Sequence, residues 1–312
     1  MHFKIEEQVL NWLLAGDVSI QFQVHRDLLN DEQRSLQNRI AKEGWGARFL
    51  SCRLPNGQWG RSFYQPKWTS THYTLLDLRN LCVSSQCIVI KDTLSLIVNN
   101  EKGPDGGINP SRTIRNSDVC INGMVLNYLS YFKMNELELV SIIDFLISQH
   151  MPDGGFNCYS NRKGATHSSL HTTLSVLEGI FQYAVNGYRY RLNELQQAAK
   201  HSEEFILEHR LFRSDKTGKI IDPKMLRLSY PARWRYDILR ALDYFQAAGA
   251  QYDKRMDDAL EIILKKRGAD KKWKLQARHP GVSHFDMEKV RQPSRWNTSR
   301  ALRVLKHFDI PL

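Results

Sequence analysis

The turn phrase Pro-Asp-Gly-Gly followed by an apolar residue occurs twice in this chain, at 104–108 and 152–156. Writing the same reversal twice, 48 residues apart, restricts a chain to folds built from repeated units. A second phrase marks those units. Leucine, two further residues, then leucine or isoleucine recurs at Leu78–Leu81, Leu126–Leu129, Leu177–Ile180, Leu239–Leu242 and Leu302–Leu305. The steps between the leading leucines are 48, 51, 62 and 63 residues. Upstream of each lies a polar loop: NGQWG at 56–60, DGGI, DGGF, DKTGK at 215–219 and GADKKW at 268–273.

Between the loops the apolar residues keep a helical period. NELELVSIIDFLISQH (135–150) is expected to be a helix capped by Asn135, with Glu138 three residues on as in a capping box. Segments 197–210 and 254–267 are expected to be amphipathic helices. A strand is expected nowhere except at 219–228. The unit is therefore helix, turn-rich loop, helix, repeated about five times from about residue 50 to 312, after an N-terminal helical segment at 1–50. Stacked helical hairpins of this kind form an open solenoid or a closed ring. In the doubled glycine a tight reversal with positive φ is available, and the preceding aspartate can bond back to backbone N–H groups.

Composition narrows the partners. A net charge of +11 permits an anionic one, yet no nucleic-acid module is present, and the basic run at 264–278 reads as a solvated helix end and loop. Five cysteines without a framework spacing suit a reduced, cytoplasmic protein. No stretch approaches the ~18–20 apolar residues of a membrane span. Two glutamates before the first short apolar run make a signal peptide unexpected.

The leucine register aligns further residues. Six positions before each leading leucine stand His72, Cys120, His171, Arg233 and Trp296; five before stand Tyr73, Ile121, Thr172, Trp234 and Asn297. The first set is expected near the start of each second helix, facing one direction, which in a closed ring is the central cavity. Pro231-Ala232-Arg233-Trp234, Pro293-Ser294-Arg295-Trp296 and the looser Pro66-Lys67-Trp68 each place a proline ahead of a cation and a tryptophan. Arg and Trp there either line the cavity or stack to close the ring. Asp257-Asp258-Ala259-Leu260-Glu261 is expected on an outer surface.

In these features the chain resembles the α/α toroids of squalene and oxidosqualene cyclases and of protein prenyltransferase β subunits, over most of its length and most strongly over 100–180. Gln149 followed by Pro152-Asp153-Gly154-Gly155-Phe156 is similar to the cyclases' glutamine-to-aromatic motif, with one extra residue. The resemblance implies an all-α fold: one α/α-toroid domain over 1–312, a closed ring of about five to six helical hairpins. It also implies an apolar cavity for an isoprenoid or other lipid-like small molecule, lined by Trp68, His72, Tyr73, Arg233, Trp234, Tyr236, Asp237, Arg295 and Trp296. Arg233 and Arg295 are then candidates to hold a diphosphate.

Two chemistries follow from that resemblance. On the cyclase side Asp118 is the catalytic acid: Asn116-Ser117-Asp118-Val119-Cys120 is similar to a single-Asp, cysteine-flanked motif, with the cysteine one place late, and the DxDD motif is absent. On the prenyltransferase side zinc is held by Asp118, Cys120 and His171, and lowers the pKa of an acceptor thiol. Counting back from Leu177 puts the family's histidine nearer Thr172, and His72, Cys158 and His167 are rival ligands. Such a transferase also requires a second subunit, about which the sequence is silent. Two other functions fit the same residues: a non-catalytic toroid that binds a lipid or a protein, and a carbohydrate-active helical barrel with Asp118 and Asp237 as its carboxylates.

Overall fold

A computed structural model describes residues 3–111 and 113–312. In chain order its helices are α1 (Glu7–Leu14), α2 (Val18–Leu28), α3 (Arg34–Ile40) and α4 (Gly44–Ser51). Next come α5 (Thr71–Asn80), α6 (Ile88–Asn100), α7 (Val119–Tyr131), α8 (Glu136–Ser148), α9 (Ser160–Lys163), α10 (Leu170–Val185) and α11 (Leu192–Glu208). The last are α12 (Ile238–Ala247), α13 (Asp257–Lys265) and α14 (Arg295–His307). The chain divides into two compact units. One gathers Met1–Ser51, Asn80–Ser84 and Leu207–Leu312; the other holds Cys52–Arg79 and Ser85–Ile206. None of the described helices is long and apolar enough to cross a membrane.

Among the described residues β-pairing is limited to isolated bridges. The strand expected at 219–228 does not form: Pro223 lacks an N–H donor and opens a 3-10 turn, Pro223–Leu226, behind the Asp222 cap. Asn135 does cap α8, accepting the Leu137 N–H at 3.1 Å. Glu138 pairs instead with Lys102, 3.4 Å away, so the expected capping box gives way to a link between segments. The 254–267 helix is shorter than expected, a 3-10 turn at Lys254–Met256 followed by α13. Asp258, in its first turn, is tied to Arg213 at 2.6 Å.

The two Asp-Gly-Gly corners lie in the second unit and are built alike. Gly106 and Gly154 have φ of 85° and 92°, where a side chain would be strained. Gly107 and Gly155 have a different job. A Cβ there would meet the Cβ of Ser117 at 2.8 Å and of Ser168 at 2.7 Å, so these glycines allow a close approach. Asp105 accepts both the N–H and the hydroxyl of Ser117, at 2.7 and 2.6 Å. Asp153 repeats this with Ser168 at 2.7 and 2.5 Å.

The apolar residue after each corner is a buried plug. Ile108 and Phe156 are buried, as are Trp59 and Trp273 in the related loops. Burial leaves the plug's own N–H and C=O in need of partners. A side chain on the following helix supplies both. Asn122 takes the Ile108 N–H (2.7 Å) and donates to its carbonyl (3.0 Å). Thr173 does the same for Phe156 and Thr71 for Trp59, and in the first unit Thr298 serves Trp273. A hydroxyl or a carboxamide can both donate and accept, which is why those residue types stand there.

Helices α7 and α10 pack unusually close. A Cβ on Gly123 would lie 2.6 Å from the Ser175 carbonyl oxygen, and one on Gly179 would lie 2.4 Å from the Gly123 carbonyl oxygen. In the first unit a largely buried ion-pair network joins α2, α12 and α14. Asp243 binds Arg300 (3.0 Å) and Arg303 (2.5 Å), and Arg303 continues to Asp27 at 2.8 Å.

Candidate functional site

His72, Cys120, His171 and Trp296 are each the second residue of their helices, α5, α7, α10 and α14, as the register requires. Arg233 departs from it. It lies five residues before α12, in an irregular segment with φ of 59°. Asp237 resets the start of that helix by capping it, accepting the Arg240 N–H at 2.8 Å.

In the second unit the start of α7 carries Asp118 and Cys120. Asp118 is the N-cap residue, but its side chain makes no cap hydrogen bond and is turned elsewhere. One carboxylate oxygen, Oδ1, is 3.8 Å from Cys120 Sγ; the other, Oδ2, is 3.2 Å from Arg162 Nη1. Cys158 arrives two residues after the Phe156 plug. Its sulfur accepts the Cys120 N–H at 3.1 Å and the Thr172 hydroxyl at 3.4 Å. One donor atom from each of Asp118, Cys120 and Cys158 lies within 4.8 Å of the others, and all three residues are half-buried. The hydrogen bond to Cys158 and burial push the Cys120 thiol up, and the Asp118 charge adds to them.

Of the expected trio Asp118, Cys120 and His171, the structure brings the first two together. His171 is outside the cluster, and Cys158, named as a rival, is inside it. One residue along a helix is a rotation of about 100°. At the start of α10 that rotation gives Thr172, not His171, to the sulfur of Cys158. His167 is tied by its carbonyl to Asn157 (2.7 Å) and is outside the cluster. His72 is fully buried, 3.3 Å from the Tyr128 hydroxyl, and does not reach it either.

Beside the cluster stands an aromatic group from residues 63–73. Trp68 and His72 each meet Tyr73 edge-on, at 4.8 and 4.7 Å, and Phe63 meets His72 at 5.5 Å. Burial drives His72 down to about 3, helped by the Lys67 charge, so it is a neutral ring at neutral pH. Tyr64 shares a 3.2 Å contact with the Tyr73 hydroxyl. Burial raises its phenol pKa, and the charges of Cys120, Asp118 and Cys158 act on it as well. Tyr64 escapes the leucine register because it lies nine residues before Tyr73, in the loop ahead of α5.

The candidates of the first unit make the following contacts. Trp296 stacks on Tyr230 (4.4 Å) and on Trp45 (6.0 Å). Arg295 donates to the Trp12 carbonyl at 2.9 Å and lies 4.5 Å over its ring. Trp234 carries Arg235 over its face at 4.7 Å. Arg233, Tyr236 and Asp237 are buried. Burial raises the Asp237 carboxyl even though Arg300 and Arg240 pull it down. Asp118 and Asp237 belong to different units.

No family model and no curated protein matches the chain. Solved structures do. A family 88 glycosyl hydrolase from Bacteroides vulgatus is similar with a TM-score of 0.54 and 11% identity, covering 93% of this chain and 89% of that one. A polysaccharide lyase is similar with a TM-score of 0.54 and 10% identity, covering 93% and 87%. The type II terpene cyclase MstE from Scytonema, in its apo form, aligns with a TM-score of 0.46 and 13% identity over 93% and 88%. The first two likenesses establish the fold. It is an all-α architecture of the α/α-toroid class.

Proposed function

We propose that the chain is a zinc-dependent enzyme whose reactive centre is Asp118, Cys120 and Cys158 and whose substrate is an isoprenoid or other lipid-like molecule. The observation that carries this reading is the convergence of one carboxylate and two thiols, from two segments of the chain, within 4.8 Å. Borderline-soft zinc suits that donor set, and its usual bond lengths imply tetrahedral edges of about 3.5–3.8 Å. The Asp118–Cys120 separation of 3.8 Å already has that size.

Zinc bound there supplies a Lewis acid that brings a coordinated thiol or water towards ionisation at neutral pH. The protein's own part is positional. Asp118 and Cys120 are fixed by the first turn of α7, and Cys158 by the Phe156 corner. The rings of Tyr64, Tyr73 and Trp68, with neutral His72, pack into a weakly hydrated group, a chemistry that suits an unsaturated hydrocarbon and would stabilise positive charge developing beside it.

Metal content tests this reading. Untagged protein purified without chelators is expected to hold roughly one zinc per chain, lost in both Cys120→Ala and Cys158→Ala. Absence of metal from the native protein overturns it.

A second reading, carbohydrate cleavage, draws on one feature: the buried Asp237 carboxyl, whose raised pKa is the property of a general acid. Hydrolysis of a chromogenic glycoside that disappears in folded Asp237→Asn would move the reactive centre to the first unit. No turnover across neutral and uronic sugars removes this reading.

A further inference from the structure

Arg162 divides the two oxygens of Asp118 between different partners. Its Nη1 is 3.2 Å from Oδ2, while Oδ1 is the oxygen turned to Cys120 Sγ. The rest of the guanidinium is committed to Asn116, whose carbonyl accepts from Nε at 3.3 Å and from Nη2 at 2.8 Å. Arg162 sits on α9, which begins two residues after Cys158. Its neighbour reinforces the link: Asn116 Nδ2 donates to the Asn161 carbonyl at 2.5 Å, and Asn161 Nδ2 donates to the Ser117 carbonyl at 3.2 Å. The segment that delivers Cys158 is thus fastened to the segment that delivers Asp118, with Arg162 at the fastening.

Charge gives this geometry a consequence. Thiols and carboxyls bind a metal as anions. Two thiolates and a carboxylate outweigh a divalent cation by one negative charge, in a place where Arg162 and Asp118 are only 18% and 24% exposed. A single guanidinium on the carboxylate makes up that difference. Holding Oδ2 would also keep both oxygens from turning to a bound metal and so leave room for an incoming ligand.

We propose that Arg162 is the positioning residue of the metal centre: it takes Oδ2 of Asp118, presents Oδ1 as the only carboxylate ligand atom, and neutralises the loaded site. This rests on the reading of Asp118, Cys120 and Cys158 as a zinc site.

The test compares native protein, Arg162→Gln and Arg162→Lys, with zinc and cobalt(II) as probes and thermal melting of the metal-free forms as the structural control. Arg162→Gln is expected to weaken zinc binding about 10–100-fold, while lowering metal-free melting no more than Arg162→Lys, which also gives up bonds to Asn116. Its cobalt spectrum should lose the intense d–d bands of a tetrahedral site as Asp118 turns both oxygens inward. Arg162→Lys restores the charge and should recover most of the affinity and the native spectrum. A Gln variant with native zinc affinity and the native cobalt spectrum overturns the role of Arg162 and leaves the metal site standing. Native protein that binds neither ion overturns both. If the Gln variant does not fold, the Lys variant decides: loss of zinc affinity and of the tetrahedral spectrum in a folded Lys variant would make Arg162 a scaffold residue alone.

Discussion

The hydroxyl of Thr173 accepts the backbone N–H of Phe156 at 3.0 Å and lies 3.3 Å from the carbonyl of the same residue. One side chain thereby satisfies both polar groups of a buried turn residue, and in doing so sets where Cys158 emerges. Thr173→Val keeps the shape and removes the hydroxyl. It should cost about 1–3 kcal/mol in urea unfolding, whereas Thr173→Ser should retain most of the stability. A valine variant as stable as the native protein would show that the turn does not depend on this bond.

A methyl group at position 123 should be felt at the proposed zinc site as well as in stability. The Cβ of Gly123→Ala would stand 2.6 Å from a backbone oxygen of α10, which cannot rotate aside. Overpacking of this kind typically costs about 1–3 kcal/mol. The displaced α7 start should also lower zinc loading, so melting temperature and metal content should fall together. Unchanged values for both would contradict the close backbone contact.

Asp243 should govern the acid limb of the stability profile. Burial raises its carboxyl, but Arg303 and Arg300 more than offset this and hold it at about 2. Because the folded value lies below the unfolded one, its contribution is complete above about pH 4 and is lost as pH falls towards 2. The contribution is on the order of 2 kcal/mol. Melting of Asp243→Asn should be lower at neutral pH and flatter across that window. A variant with the same acid limb as the native protein would exclude this network as its cause.

His72 acts in a different window. Burial and Lys67 hold it at about 3, so it stays neutral in the folded protein while the unfolded chain takes up a proton below about pH 6.5. Its contribution is complete above that pH and declines by up to about 1.4 kcal/mol per pH unit on the way to 3. His72→Phe, placed among Phe63, Tyr64 and Tyr73, should lessen the loss of stability between pH 7 and pH 5. Denaturation curves at the two values would show it, and an unchanged difference would assign the loss to other groups.

Much of the helical frame is legible in the sequence because periodicity and corner chemistry are local. The leucine register places His72, Cys120, His171 and Trp296 at the second position of their helices. It misplaces Arg233, because nothing local reveals that Asp237 will start α12 four residues later. The cluster of Asp118, Cys120 and Cys158 is legible only in part. Asp118 and Cys120 lie on one helical turn, whereas choosing Cys158 over His171 depends on a rotation of one residue in α10 and on the path of the loop behind Phe156. Nor can spacing reveal Arg162. Its role depends on a one-turn helix folding back across Asn116.

The contact between Gly123 and Gly179 has a wider meaning for this site. Two peptide backbones in contact define a distance that no neighbouring side chain can adjust, so the start of α7 and the start of α10 are gauged by the chain itself. Apolar residues around them can exchange, shrink or grow with little effect on the spacing of Asp118, Cys120 and Thr172. Tolerance of apolar exchange in the surrounding core and intolerance at two glycines are thus one property, and a random library of this unit should keep glycine at 123 and 179 while the apolar positions around them vary.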